Sequence, residues 1–214
     1  MSSRARRFLD ARARVVEADL GPGDDECRAL MRRAFGYADE RWLRAVRSLQ
    51  ERFSGLTYES PLMDERIELE PTFDPEPGDG RVEFLYAIHS TTASGASGAI
   101  VLGETGMTLM IGMHWDEEEP AFPSLEHFIE CDALMDAARR APVLEAHGGE
   151  AAKTRLDELG GRRPGLRAIR AARGPAMQWW ADDEVLVQYS PLWDTIPRHP
   201  TPTLRVHPTT AAGL

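Results

Sequence analysis

Three side chains of metal-binding type, His89, His114 and Asp116, fall at the ends of predicted strands. No His-Glu-x-x-His sequence and no paired-cysteine pattern accompanies them, and a lone strand histidine more often serves a structural role. They define one reading, a metal-assisted hydrolase using His89, His114 and Asp116. Residues 90–98, Ser-Thr-Thr-Ala-Ser-Gly-Ala-Ser-Gly, offer hydroxyls and glycines but not the Gly-x-Ser-x-Gly of a nucleophile elbow. They also lack the Gly-Lys-Ser/Thr ending of a phosphate cradle, so a loop between strands explains them better. The densest chemistry is the run Asp116, Glu117, Glu118 and Glu119 beside Trp115. Consecutive carboxylates do not converge as the spaced ligands of a calcium loop do, so a contact for Arg and Lys on a protein partner is the expected role. Trp179, Trp180 and Trp193 offer stacking faces; on a strand the first two point to opposite sides, one into the core.

Charge sharpens this reading. Residues 54–138 hold 18 Asp and Glu against 2 Arg, a net of -16, whereas residues 1–53 and 139–214 carry +3 each, giving -10 for the 214-residue chain. A field of that sign attracts cationic partners and repels phosphate backbones, which argues against nucleic acid. Surplus acid also serves solubility alone, and that alternative stands beside the first. The expected partner is a basic protein, with no cofactor; the oligomeric state is left open.

The elements that must position these residues follow from hydrophobic spacing. Composition and length fit a globular chain, and no segment is apolar for long enough to span a membrane. Arg12, Arg14 and Asp10 interrupt what would be the apolar stretch of a signal peptide, so the expectation is a soluble cytoplasmic protein. Cys27 and Cys131 sit at helical spacing among apolar residues and read as reduced, buried thiols.

Leu9, Ala13, Val16 and Leu20 predict a first helix ending at Gly21-Pro22-Gly23. Cys27, Leu30, Met31, Ala34 and Phe35 predict a second after Asp24, and Trp42, Val46, Leu49 and Phe53 a third with Gly55 at its C-terminal cap. Strands follow at residues 56–58, 67–70 and 82–88, with a loop expected over residues 71–80. Residues 99–102 and 107–111 flank Gly103-Glu104-Thr105-Gly106 as a hairpin, and Ser124 caps a helix bearing Phe128, Cys131, Met135 and Ala138. Farther on come a helix over residues 150–159 with breaks at Gly160-Gly161 and Pro164-Gly165, a hairpin of residues 177–180 and 185–189, and an edge strand over residues 204–207. The class is α+β: N-terminal helices, a central mostly antiparallel sheet and flanking helices. Residues 1–140 are expected to form the main domain, and 141–214 an extension that extends or covers its sheet.

The stretch from Trp42-Leu43 through Leu49-Gln50-Glu51-Arg52-Phe53-Ser54-Gly55-Leu56-Thr57-Tyr58 resembles the SUKH superfamily of bacterial immunity proteins, whose helix ends in a Phe-x-Gly-Leu turn before the first strand. The predicted meander from Val82 to Trp115, followed by Pro123-Ser124-Leu125-Glu126-His127-Phe128-Ile129, is similar to the later strands and closing helix of that family. The likeness spans residues 39–138 and leaves the first two helices and residues 141–214 without counterparts.

The resemblance implies a binding protein that neutralises a polymorphic toxin, often a nuclease or deaminase, by covering it. Charge points the same way, because toxins that act on nucleic acid are commonly basic. The leading expectation is therefore a non-catalytic immunity protein whose Trp115, Asp116, Glu117, Glu118 and Glu119 meet the partner. A scaffold or regulatory subunit holding a housekeeping or biosynthetic protein is the second reading, and the hydrolase the third.

Overall fold

The computed structural model describes residues 1–75, 82–89, 97–103, 106–112, 119–191 and 202–209. The fold is α+β, with five helices and twelve strands among those residues. Two compact units share the chain. A middle unit takes Arg12–Glu59 and Glu65–Pro120; a terminal unit takes Met1–Ala11, Ser60–Asp64 and Ala121–Leu214. Residues 121–140, grouped with the first domain by the sequence reading, thus cluster with 141–214.

Helix α1, Ser3–Arg12, buries Ala5, Phe8 and Leu9. It is shorter than its spacing predicts. Arg14–Val15 forms a two-residue strand, β1, paired antiparallel with Thr57 and Leu56, and the Val16 N–H donates to the Gly55 carbonyl at 2.8 Å. Val16 is 37 % exposed and Leu20 50 %, so the apolar helical face expected beyond residue 12 does not form. The β-branched pair Val15-Val16 favours the extended backbone that this ladder rewards.

In the middle unit α2, Asp24–Phe35, buries Cys27 and Met31 and stops at Gly36, whose φ of 80° permits the left-handed cap. Helix α3, Glu40–Phe53, starts at Asp39, whose side chain accepts from the Arg41 N–H, and buries Leu43, Val46, Leu49 and Phe53. The corner after it depends on Gly55: φ is 73°, and a Cβ there would lie 2.1 Å from the Val16 carbonyl oxygen. The chain then runs through β2 (Leu56–Ser60), β3 (Glu65–Pro75), β4 (Val82–His89), β5 (Ser97–Gly103), β6 (Gly106–Gly112) and β7 (Glu119–Phe122). With β1 these make a seven-stranded sheet in sequence order, on whose β3 both α2 and α3 pack. The expected hairpin is present, closed by the Gly103–Gly106 pair.

Strand β3 corrects the loop expected from Pro71. Its pairing with β4 shifts between Glu68 and Thr72, and a proline is tolerated where the ladder is interrupted. The buried Pro71 carbonyl is not wasted: Gln50 Nε2 donates to it at 2.8 Å and to the Leu20 carbonyl at 2.7 Å. One buried glutamine of α3 thereby ties the irregular strand to the loop before α2.

The terminal unit contains α4 (Leu125–Arg139), β8 (Glu145–Gly148), α5 (Glu150–Arg162), β9 (Arg167–Arg173), β10 (Gln178–Ala181), β11 (Val185–Ser190) and β12 (Thr203–Pro208). The strands of residues 141–214 do not join the first sheet; they build a second one, antiparallel, in the order β8-β12-β11-β10-β9. Strand β12 lies inside this sheet and not at its edge. Pro202 precedes it and Pro208 is its last residue, so the N–H groups between are free to pair. Gly160 and Gly161 lie within α5, which ends where the Arg163 N–H donates to the Leu159 carbonyl.

On one face of this sheet Val185, Val187, Leu204 and Val206 pack with Ala152 and Leu159 of α5. Trp180 joins them half-buried, while Trp179 is fully buried, the opposite-sided pair that the alternation predicts. Helix α4 has its N-terminus capped by Ser124 Oγ, and it is buried well beyond one stripe, Leu125, Phe128, Ile129, Leu134 and Met135 included.

Candidate partner-binding surface

Most of the predicted contact lies outside the described residues: Trp115, Asp116, Glu117 and Glu118 do, and Glu119 opens β7. Of the metal-site candidates, His114 and Asp116 also lie outside, while His89 closes β4 in register with Arg66. Among the described residues no group of three His, Cys, Asp or Glu is placed to hold a metal ion. Trp193 and residues 90–96 fall outside as well.

What the fold adds is a partition of charge. The middle unit holds 21 acidic and 11 basic residues, a net of -10; the terminal unit holds 14 of each, a net of zero. The whole formal charge of the protein therefore belongs to one unit. Within it, residues 12–59 balance at 9 acidic and 9 basic, and residues 65–120 carry 12 against 2. Ion pairs within that balanced stretch join its helices. Arg28 bridges Glu40 at 2.8 Å and Asp25 at 2.9 Å, and Arg47 reaches Asp24 at 2.7 Å. The hydrogen bond from Arg28 holds the Glu40 carboxyl below its usual range, and that from Arg41 does the same for Asp39.

The excess acid is thus on the sheet strands and their connections. Strand β3 shows how they present it. Ile67, Leu69, Pro71, Phe73 and Pro75 alternate as its buried set, which leaves Glu68, Glu70 and Asp74 together on the other face. Asp74 is exposed and Glu68 and Glu70 are half-buried. Glu83 of β4 pairs directly with Asp74, so two acidic residues share one cross-strand position. Arg66, on the same face, bridges Glu59 of β2 at 2.8 Å. Such a face can accept hydrogen bonds from guanidinium and ammonium groups along its length.

The sequence reading missed this row, although Glu68 and Glu70 fell in a segment whose alternation it recognised. Taking Pro71 as the start of a loop cut the pattern before Asp74. It also counted as one acidic segment several carboxylates that the terminal unit uses internally. Glu130 and Asp132 are buried on α4. Ser2 Oγ donates to Glu130 at 2.7 Å and Arg4 Nη2 at 3.1 Å; Ser60 Oγ donates to Asp132 at 2.7 Å and the Leu62 N–H at 2.9 Å. Asp136 and Asp64 pair with Arg140 and Arg139.

Elsewhere in the terminal unit the polar clusters are also internally matched. Arg155 chelates Glu145 through two nitrogens at 2.7 and 2.8 Å, and that bond, with His147 assisting, holds the Glu145 carboxyl at about 2. Burial alone would raise Asp182, but N–H groups of Val185 and Glu184 and the Arg163 guanidinium bring it below its usual range. Cys27 and Cys131 are free and buried, and burial pushes both thiols up, Cys131 the more so. Among the described residues no helix is long and apolar enough to cross a membrane. Compared with family models, with curated proteins and with solved structures, the chain matches none.

Proposed function

We propose that this chain is a non-catalytic binding protein of the bacterial immunity type, acting in the cytoplasm, and that its middle unit covers a basic protein. The observation that carries the reading is the confinement of the -10 charge to that unit, with the terminal unit at zero. A partner with a cationic groove, as a nuclease or deaminase acting on nucleic acid would have, is steered to the acidic unit and past the neutral one. The proposed contact comprises the row Glu68, Glu70 and Asp74 and, from the sequence, Trp115, Asp116, Glu117, Glu118 and Glu119. The SUKH-like helix–turn–strand sequence is the second support, since it is the α3–Gly55–β2 corner on which the sheet is hung.

The test is retention of a single basic protein from the native cell, eluted by salt, whose toxic activity the purified chain then blocks. Replacing Glu68, Glu70 and Asp74 by lysine should slow association at least about tenfold and flatten its dependence on ionic strength. Unchanged kinetics would remove the row from the interface. Retention of a housekeeping protein instead would favour a scaffold, and bound metal lost on His114→Ala would favour the hydrolase.

A further inference from the structure

Not every polar group of the terminal unit is matched. Gln188 of β11 is 2 % exposed, and among the described residues neither its Nε2 nor its Oε1 has a hydrogen-bond partner. A buried carboxamide in that condition costs stability and calls for a role outside the fold. Its surroundings repeat the pattern. Val185, Val187, Leu204 and Val206 pack with α5, so the alternation turns Leu186, Gln188, Ser190, Thr203, Arg205 and His207 to the other face of the sheet. Five of those six are polar, and all but Arg205 are buried.

The register sets them in rows. Arg205 stands opposite Gln188 on one side and Ala146 of β8 on the other, and Thr203 stands opposite Ser190 and Gly148. Ala146 and Gly148 add almost no side chain to the face over β8. A concavity of about 230 Å³ lies there, lined by Ala146, Gly148, Thr203 and Arg205 and by His147 and Leu204 between them. Gln188 and Ser190 are the next residues inward along the two rows.

Charge and size narrow what such a place can hold. Among the residues of β8, β10, β11 and β12 on this face, Arg205 is the only one with a formal charge, because burial, helped by the Arg205 guanidinium, keeps the His207 pKa below its usual value. A guanidinium has five N–H donors in a fork that fits a carboxylate, enough to hold one and keep other contacts. The carboxamide beside it offers both a donor and an acceptor, the complement of another amide. The volume falls below the roughly 300 to 1,000 Å³ of sites for drug-sized molecules, so the ligand is small.

We infer that the concavity and the polar rows behind it form a binding site for a small carboxylate that also carries an amide, with Arg205 holding the carboxylate and Gln188 pairing with the amide. Thr203, at the wall between them and the opening, supplies a hydroxyl. Gln188 is enclosed, so the neighbouring side chains part as the ligand enters.

Isothermal titration of the full chain with N-acetylglycine, which joins a carboxylate to an amide, tests this. A dissociation constant of about 1 mM or tighter is expected, and the neutral N-acetylglycinamide should bind at least about tenfold more weakly. Arg205→Met should lower the affinity at least about tenfold with an unchanged circular dichroism spectrum. Gln188→Leu separates a ligand-binding amide from a structural one: it should weaken binding yet raise the melting temperature of the free protein, because it removes a buried group that has no partner. No saturable heat up to about 50 mM, equal binding of the neutral amide, or an affinity indifferent to either substitution overturns the inference, as does a melting temperature lowered by Gln188→Leu. Should Arg205→Met fail to fold, the comparison of N-acetylglycine with its amide decides.

Discussion

The middle and terminal units are both helices packed on antiparallel strands, and they treat their carboxylates in opposite ways. The terminal unit balances acid with base and draws Glu130 and Asp132 into its interior, each held by hydrogen bonds. The middle unit balances residues 12–59 and concentrates its net acid in residues 65–120, three of whose carboxylates, Glu68, Glu70 and Asp74, lie on the face opposite the apolar residues of β3. Burial of a carboxylate is tolerable only with donors at hand, whereas a carboxylate left at a surface costs little and acts at a distance. Glu130 and Asp132 are therefore enclosed in one unit, whereas Glu68, Glu70 and Asp74 stay half-buried or exposed in the other.

The largest test of that contrast is Asp132→Ala. It strands the Ser60 hydroxyl and the Leu62 N–H in a buried site and should lower stability by about 3 kcal/mol in urea titration, while Asp132→Asn, which keeps an acceptor, loses less. A loss no greater than that of an exposed carboxylate would erase the distinction between the units. Gly55→Ala is the counterpart in the middle unit: a positive φ and a collision with the Val16 carbonyl should cost about 2 kcal/mol or more.

Acid should act on the terminal unit through Glu145. Its folded carboxyl lies at about 2 against an ordinary 4.5, so its stabilisation is complete above 4.5 and is lost as pH falls from there through 2. Glu145→Gln should flatten the melting temperature across that window. His207 works in a higher range: burial lowers its folded pKa from 6.5, the unfolded chain takes up the proton first, and stability declines as pH drops below 6.5. His207→Gln should remove that slope between pH 7 and 5. The smallest effect is expected on the acidic face, where Asp74→Asn removes one exposed charge of the excess and should stabilise by about 0.2 to 0.5 kcal/mol at low salt, vanishing at high salt.

Elements with strong local signals were legible: α2 from its apolar spacing and Gly36, α3 from its spacing and Gly55, the hairpin closed by Gly103 and Gly106, and the cap of α4 from Ser124. Those settled by long-range pairing were not. Arg14–Val15 became a strand because β2 offered partners, Pro71 stayed in β3 because the ladder is irregular there, and β9 has no apolar alternation to betray it.

The sequence by itself determined the acidic excess, the α+β class and the local starts and stops, because composition, periodicity and capping are properties of neighbouring residues. Only the tertiary structure decided which carboxylates share a surface. Glu68 and Asp74 join a face through the two-residue repeat of β3, while Glu130 and Asp132, counted in the same acidic stretch, are enclosed in a different unit. Charge along a chain is a sum, but its field depends on where the fold puts each group and whether a donor meets it.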